Sequence, residues 1–253
     1  MRGLPMSSNA TSPLSSAAAS VSDATGRKGD KLSDALHTKD PTPRTMSREA
    51  RRAQLIASTI ETLAARGYSR ITLTDVARTA GLSHGLVLFH FESKEKLLAE
   101  TLAFLAEEYR QNWQEALSCV GDDPAEQLNA LIEADFNPAI CTPSRLAAWC
   151  SFWGEAQSRP IYQELCGDKD DAYNQQLEEI CQRLIDAGGY GHNARHVARV
   201  IRVTSEGTWL DLMTIAAPYS PEEALATVRT CAALCFPQHF TPAGLRGDRP
   251  TGG

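Results

Sequence analysis

No run of the 253 residues approaches the roughly 18 consecutive apolar positions that a membrane-spanning helix requires, so no membrane segment is expected. The amino terminus lacks a compact apolar stretch after a basic start, which argues against a secretory signal. The seven cysteines are odd in number and include no Cys-x-x-Cys pair. That pattern excludes a disulfide framework and implies reduced thiols in a cytoplasm. Cys231 and Cys235, four apart on an expected helix, read as buried and inert, because free Cys packs as a small hydrophobe. Catalytic signatures are equally sparse: there is no Walker loop and no GxGxxG, and no nucleophile elbow is expected. No cofactor is implied, and an enzyme is disfavoured. The alternative from that class is a helical metal-dependent enzyme using His192 and His196, whose spacing can hold zinc from a helix. No Glu stands between them, however, no further ligand follows at a characteristic spacing, and Arg195 adjoins. Exposed helix histidines are the simpler account. Asp168-Lys169-Asp170-Asp171 lacks the Gly and terminal Glu of a calcium loop and reads as a solvated kink or helix start.

What the chain does have is a charge split. The formal net charge is −6, yet residues 1–96 carry 14 Lys/Arg against 9 Asp/Glu, and residues 97–253 carry 11 against 22. A basic head on an acidic body is the footprint of a local phosphate-binding surface, since attraction to DNA depends on the facing patch and not on the total. Residues 1–43 are rich in Ser, Ala, Thr, Asp and Pro and poor in large apolar residues. They cannot bury enough surface to offset their ordering entropy, and a disordered extension is expected there. Met46 stands directly before the first strong helical pattern as an alternative start.

From Ser47 the pattern is helical. Leu55, Ile56, Ile60, Leu63 and Ala64 recur at spacings of three and four, Ser47 suits an N-cap, and Gly67 suits a stop. Thr72 or Thr74 can cap a short second helix ending at Gly81, and Ser83 a third running to Leu88 or Phe89. Ser93 opens a fourth. Further helices are expected near 124–136, 143–157, 159–187, 193–217 and 221–235, punctuated by Asp123-Pro124, Thr142-Pro143, Gly188-Gly189 and Ser220-Pro221. The expected fold is all-α with about nine helices. It comprises a three-helix helix-turn-helix domain over 44–98, a larger ligand-binding and dimerisation domain over 99–236, and a flexible tail over 237–253.

The two short helices joined through Ala80-Gly81-Leu82-Ser83 form the helix-turn-helix, with Gly81 permitting the tight turn and Val76, Ala77 and Leu82 packing on the first helix. The stretch Ile71-Thr72-Leu73-Thr74-Asp75-Val76-Ala77-Arg78-Thr79-Ala80-Gly81-Leu82-Ser83-His84-Gly85, followed by Phe91-Glu92-Ser93-Lys94-Glu95-Lys96-Leu97-Leu98, resembles the DNA-binding domain of the TetR family over about residues 47–98. The resemblance implies a transcriptional repressor on palindromic operator DNA. Thr72 and Thr74 then suit phosphate hydrogen bonds, Ser83, His84 and Gly85 lie where the third helix meets DNA, and Lys94 suits a phosphate beside a helix N-terminus. Arg44, Arg48, Arg51 and Arg52 form a basic arm. The family often has a Tyr at Leu88 that contacts a backbone phosphate; Phe89 lacks the hydroxyl, and His90 is the candidate substitute.

The body has no comparably sharp motif, but all four tryptophans fall in it. Trp149 and Trp153 share a helical face with Phe152 adjacent, Tyr109 and Trp113 repeat the spacing, and Tyr162, Tyr173 and Trp209 lie on later helices. Aromatic faces attract cations, and Glu206, Asp135 or Glu155 could complete a quaternary ammonium site; core or interface aromatics are the plainer account. The run Arg145-Leu146-Ala147-Ala148-Trp149-Cys150-Ser151-Phe152-Trp153-Gly154-Glu155-Ala156, and Glu206-Gly207-Thr208-Trp209-Leu210, resemble the BetI-type, choline-responsive branch of the same family. That implies repression of glycine-betaine synthesis or uptake genes, relieved by choline or a related compound. A lipophilic drug, an acyl-CoA or a nucleobase as inducer remains the alternative. A homodimer is expected through stripes on the last two helices: Val197, Val200, Ile201, Thr204, Thr208 and Leu212, then Leu225, Val228 and Leu234.

Overall fold

The structure, a computed structural model, describes residues 46–156, 160–215 and 219–247. The extension expected over 1–43, Arg44 and the end of the tail from 248 lie outside the described residues. Among the described residues the chain is nine α-helices and one short hairpin. The head holds α1 (Arg48–Arg66), α2 (Leu73–Ala80) and α3 (His84–Phe91). The body follows with α4 (Lys94–Ser118), α5 (Pro124–Ala134), α6 (Pro143–Glu155), α7 (Ile161–Gly188), α8 (Ala194–Thr214) and α9 (Pro221–Cys235). None of these helices is long and apolar enough to cross a membrane.

Local chemistry sets the boundaries. Ser47, Thr72, Ser83 and Ser93 each accept an N–H from three residues on, satisfying a donor that the first turn leaves unpaired. Asp123, Thr142 and Ser220 do the same before Pro124, Pro143 and Pro221, whose missing N–H costs nothing at a helix start. Gly81 ends α2 in the left-handed region, at φ 67° and ψ 32°. Helix α3 runs on to Phe91, past the expected stop, and ends at Glu92, which itself takes φ 64° and reaches Lys96 Nζ at 2.8 Å.

Apolar side chains gather into two cores. One joins the head to α4 and α6: Leu55, Leu63, Val76, Val87 and Phe91 pack with Leu97, Leu102, Leu105, Ala148, Trp149 and Phe152. The other lies among α5, α7, α8 and α9 and contains Leu128, Leu131, Leu177, Ile180, Leu184, Ile201 and Val228. Tyr109 and Trp153, half-buried, pack against both.

The tail expected to be flexible is folded over its described part. Strands β1 (Phe240–Thr241) and β2 (Gly244–Leu245) pair antiparallel, and Phe240 and Phe236 are buried in the body core. Burying two aromatic rings offsets the ordering cost that the Gly and Pro content suggests.

Two glycines of the head separate backbone from packing effects. A Cβ would meet nothing within 4 Å at Gly81 or Gly85, but only Gly81 has positive φ. Gly81→Ala should lower stability by about 1–2 kcal/mol in urea unfolding, from backbone strain alone. Gly85→Ala, in ordinary helical backbone, should leave stability unchanged or raise it by up to about 1 kcal/mol. Equal losses at both positions would contradict this reading.

Candidate functional site

The head presents a small polar surface at the start of α2 and α3. Thr74 Oγ1 lies 3.3 Å from His84 Nδ1, tying the two helix starts together, and Ser83, His84 and Gly85 are all exposed. Thr72 is also exposed, but its hydroxyl is engaged: it accepts from Asp75 N–H and donates to Asp75 Oδ2 at 2.6 Å. Asp75 meets Arg66 at 3.2 Å and Arg78 at 3.0 Å, bracing α1 against α2. The Thr72 hydrogen bond and then the two guanidinium charges hold its carboxyl below the usual range. Arg48 is exposed, and Arg51 and Lys94 are half-buried at the same end of the molecule's sequence-defined head.

Two residues expected on the DNA face turn inward. His90 is buried at 6% exposure, with Nδ1 unpaired, and burial followed by the charges of Arg48, Arg52 and Arg51 holds its imidazole below the ordinary range. Arg52 is an internal brace. Its Nη1 donates to the His90 carbonyl at 2.5 Å, its Nη2 pairs with Glu100, and its guanidinium lies 4.4 Å over the Phe91 ring. Its charge is spent within the head.

Gly81-Leu82-Ser83-His84-Gly85 also spells Gly-x-Ser-x-Gly, a hydrolase elbow pattern, against the expectation that none is present. No strand leads into it; it joins α2 to α3, and Ser83 Oγ caps α3 by accepting from Leu86 N–H at 3.2 Å. His192 and His196 are exposed, His192 stacked on Tyr190, and no group of three potential metal ligands occurs among the described residues.

The body holds a cavity of about 320 Å³ between the two cores, lined by aromatic rings and acids from α4, α6, α7 and α8. Trp149 and Trp153 stack with centroids 6.0 Å apart, and Trp153 stacks in turn on Trp209 at 6.4 Å with an interplanar angle of 8°. Tyr109 meets Trp209 edge-on at 5.9 Å and Tyr173 at 5.6 Å. Asp135, directly after α5, is the acid at the floor: 3% exposed, it accepts from Tyr109 Oη at 2.9 Å, and its carbonyl accepts from Trp209 Nε1 at 3.1 Å. Burial pushes its carboxyl up to about 6, against the lowering effect of the Ser205 and Tyr109 hydrogen bonds. At the rim Tyr162 receives Trp153 Nε1 at 3.1 Å and donates to Asp170 at 3.3 Å; desolvation, with Glu206 nearby, raises Asp170 to about 6. Arg202 in the lining is paired to Glu206 at 2.5 Å.

Of the expected ligand residues, Tyr109, Trp149, Trp153, Tyr173, Glu206 and Trp209 meet in this cavity. Trp113 and Phe152 do not. Trp113 packs behind Tyr173 in the body core, and Phe152, a third of a turn from the tryptophans, points into the head core, edge-on to Tyr68 at 5.7 Å. Glu155 does not line the cavity. Tyr162, noted among the aromatics, also lines it, whereas Asp170, Asn174, Arg202 and Ser205 were not assigned from sequence; the acidic run around Asp170 resembles a solvated surface, and only the packing of α7 turns one of its carboxylates to the cavity.

The expected dimer stripe is corrected in part: of its residues, Val200 and Leu234 alone are exposed. Val197, Ile201, Thr208 and Val228 are buried within the chain, and Thr204, Leu212 and Leu225 are half-buried. The apolar residues that α8 and α9 turn outward are Val200, Val203, Leu210, Met213 and Leu234. The thiols of α9, expected to be buried, are half-buried; Cys231 lies 3.6 Å from Thr204 Oγ1, and hydrogen bonding from Cys235 lowers its thiol.

Two family models match. Residues 55–101 match the bacterial regulatory proteins of the tetR family, and residues 124–237 match the C-terminal domain of BetI-type transcriptional repressors. Among curated relatives, the HTH-type transcriptional regulator BetI of Stenotrophomonas maltophilia is 26% identical over 69% of this chain and 87% of its own length. BetI of Pseudomonas aeruginosa is 26% identical over 72% and 91%. Among solved structures, a putative regulator from P. aeruginosa superposes with TM-score 0.64 at 23% identity, covering 74% of this chain and 91% of that one. A putative regulator from Saccharomonospora viridis, solved in complex with choline, gives 0.62 at 21% identity, over 71% and 94%.

Asp135 links the cavity to stability. Its pKa is raised on folding, so the folded state favours the protonated form. Its contribution is most favourable below the unfolded carboxylate pKa and is lost as pH rises through about 6. Asp135→Asn, which keeps the shape and carries no charge, should therefore raise stability at pH 8 by up to about 3 kcal/mol. The gain should vanish near pH 4, as read by thermal unfolding at the two pH values.

Proposed function

The chain belongs to the TetR family of transcriptional regulators, with a BetI-type C-terminal domain, and on that premise we propose a homodimeric repressor released from palindromic operator DNA by a quaternary ammonium compound. The observation that carries the ligand class is the stack of Trp149, Trp153 and Trp209 facing the carboxylates of Asp135 and Asp170. Rings present their negative faces to a cation, and a cation without N–H donors asks for such faces and a nearby countercharge rather than for hydrogen bonds. The lining's arginine is occupied by Glu206, which disfavours an anionic inducer such as an acyl-CoA. The choline in the S. viridis structure and the BetI names of the curated relatives support choline itself, and with it control of glycine-betaine genes.

In this reading residues 44–98 hold DNA and 99–236 hold the inducer and the partner subunit. The outward face of Val200, Val203, Leu210 and Met213 on α8, with Leu234 on α9, meets its copy in a four-helix interface. That pairing sets two recognition helices about 34–36 Å apart, or a multiple of it, to read two half-sites. Release runs through α6 and α4. Both carry cavity residues, Trp149, Trp153 and Tyr109, and both carry head-core residues, Phe152 and Leu102. A cation that draws the rings together shifts these helices and with them the heads, and only one arrangement fits both half-sites.

Two experiments test this. Replacing His84 and Lys94 together by Ala should abolish the gel shift of promoter DNA while sedimentation still shows a dimer; retained binding would sink the assignment. Tryptophan fluorescence should respond to choline or glycine betaine, and not to the neutral isostere 3,3-dimethyl-1-butanol. Below about pH 6 Asp135 and Asp170 are protonated in the empty cavity, so choline affinity should fall there by roughly tenfold per pH unit for each carboxylate that ionises on binding. An equal response to the neutral compound would remove the cation reading.

A further inference from the structure

Helix α3 turns an apolar tip outward. Phe89 is 70% exposed and Leu88 37%, while Val87, His90 and Phe91 on the same helix are buried. Phe89 and Leu88 stand one turn beyond Gly85 and His84, so the four share the outer face, and open space surrounds the Gly85 backbone. Between His84 and Phe91 there is no Arg, Lys, Asn, Gln, Asp or Glu. These are the side chains that make the paired hydrogen bonds to guanine or adenine, or accept from cytosine, in the major groove. His84 is the one polar side chain exposed on this helix. Hydrogen-bond readout within α3 therefore rests on His84, beside the Ser83 hydroxyl that caps the helix, and the other side chains exposed on α3 are hydrocarbon. The matching feature of the major groove is the C5-methyl group of thymine, its one apolar projection.

We propose that Leu88 and Phe89 read thymine methyl groups, so that each operator half-site is specified by thymines at the positions under these side chains. The proposal rests on the head binding duplex DNA. Charge argues for DNA as the occupant of this tip over a membrane or a second apolar protein surface: Arg48, Arg51 and Lys94 belong to the same small head, suited to phosphates, while the apolar pair is the part left for the bases. The Phe89 ring is held edge-on to His90 at 5.2 Å, so it is positioned before DNA arrives.

The test uses the full chain and duplexes selected from a random pool, with deoxyuridine then placed at each thymine of the best duplex. Uracil keeps the hydrogen-bonding edge and lacks only the methyl. Substitution at one or two thymines per half-site should weaken binding about fourfold per methyl removed. Phe89→Ala or Leu88→Ala should weaken binding to the thymine duplex and erase the thymine–uracil difference at its own position. The melting temperature should hold for Phe89→Ala, whose side chain is 70% exposed, and Leu88→Ala is read as the thymine-to-uracil ratio at a temperature where the variant is folded. Equal affinity for thymine and uracil duplexes at every position, or a difference that survives in both variants, overturns the proposal. Selection of no duplex at all would instead overturn the DNA-binding reading beneath it.

Discussion

Helix α6 has to fill two cores at once, and the architecture depends on its doing so. Phe152 and Trp149 close the core that carries the head, while Trp153, half-buried, reaches the body core and the Trp209 ring. Polar links hold the helix in register: Arg145 grips Glu108 of α4 through two bonds of 2.7 Å, and Ser144 meets Glu61 of α1 at 2.9 Å. A paired guanidinium–carboxylate contact fixes orientation as well as distance. Interiors are close-packed, so a helix gripped on both sides cannot respond to a change on one face without passing it to the other. The cavity lies where that property is useful, at the seam of the two cores.

The same seam carries a burden. A carboxylate in an aromatic surrounding loses its water, and the Tyr109 hydroxyl and Ser205 compensate only in part for Asp135. A structure selected for stability alone would place an apolar residue or an amide there. Among the described residues the one arginine of the cavity lining, Arg202, is already paired to Glu206, so the lining leaves Asp135 without a free countercharge. Tyr109 and Tyr173, whose phenols burial holds well above their ordinary range, stay neutral; Tyr109 donates to Asp135, and both supply ring faces to the site.

How much of this is legible in the sequence depends on the range of the physics involved. Head boundaries rest on hydrogen bonds spanning three residues, and Ser47, Thr72, Ser83 and Ser93 cap where their neighbours allow. Side-chain direction is less accessible. An apolar stripe of period three to four marks a buried face without saying what buries it. Of the expected stripe on α8, Val197, Ile201 and Thr208 face the chain's own core while Val200 faces outward, where Val203, outside the stripe, joins it. Phe152 is misread for the same reason: adjacency in sequence is about 100° on a helix. Charged residues are harder still. Nothing local separates Arg52, folded inward over Phe91, from Arg48 at the surface, or Asp170 at the cavity from its solvated neighbours. The closing hairpin escapes notice because composition alone hides the two Phe anchors that seat it.

The division of the cavity wall has a bearing on how such a regulator can diverge. Asp170, Asn174 and Arg202 touch the ligand space from α7 and α8 and belong to neither apolar core. Their replacement can reshape the cavity while both cores stay intact. Trp149 is different, because one indole is at once a wall of the cavity and a brick of the head core. Descendants of this protein can therefore alter the cavity by drift at the rim, whereas a change at Trp149 must be met by a matching change in the core of the head.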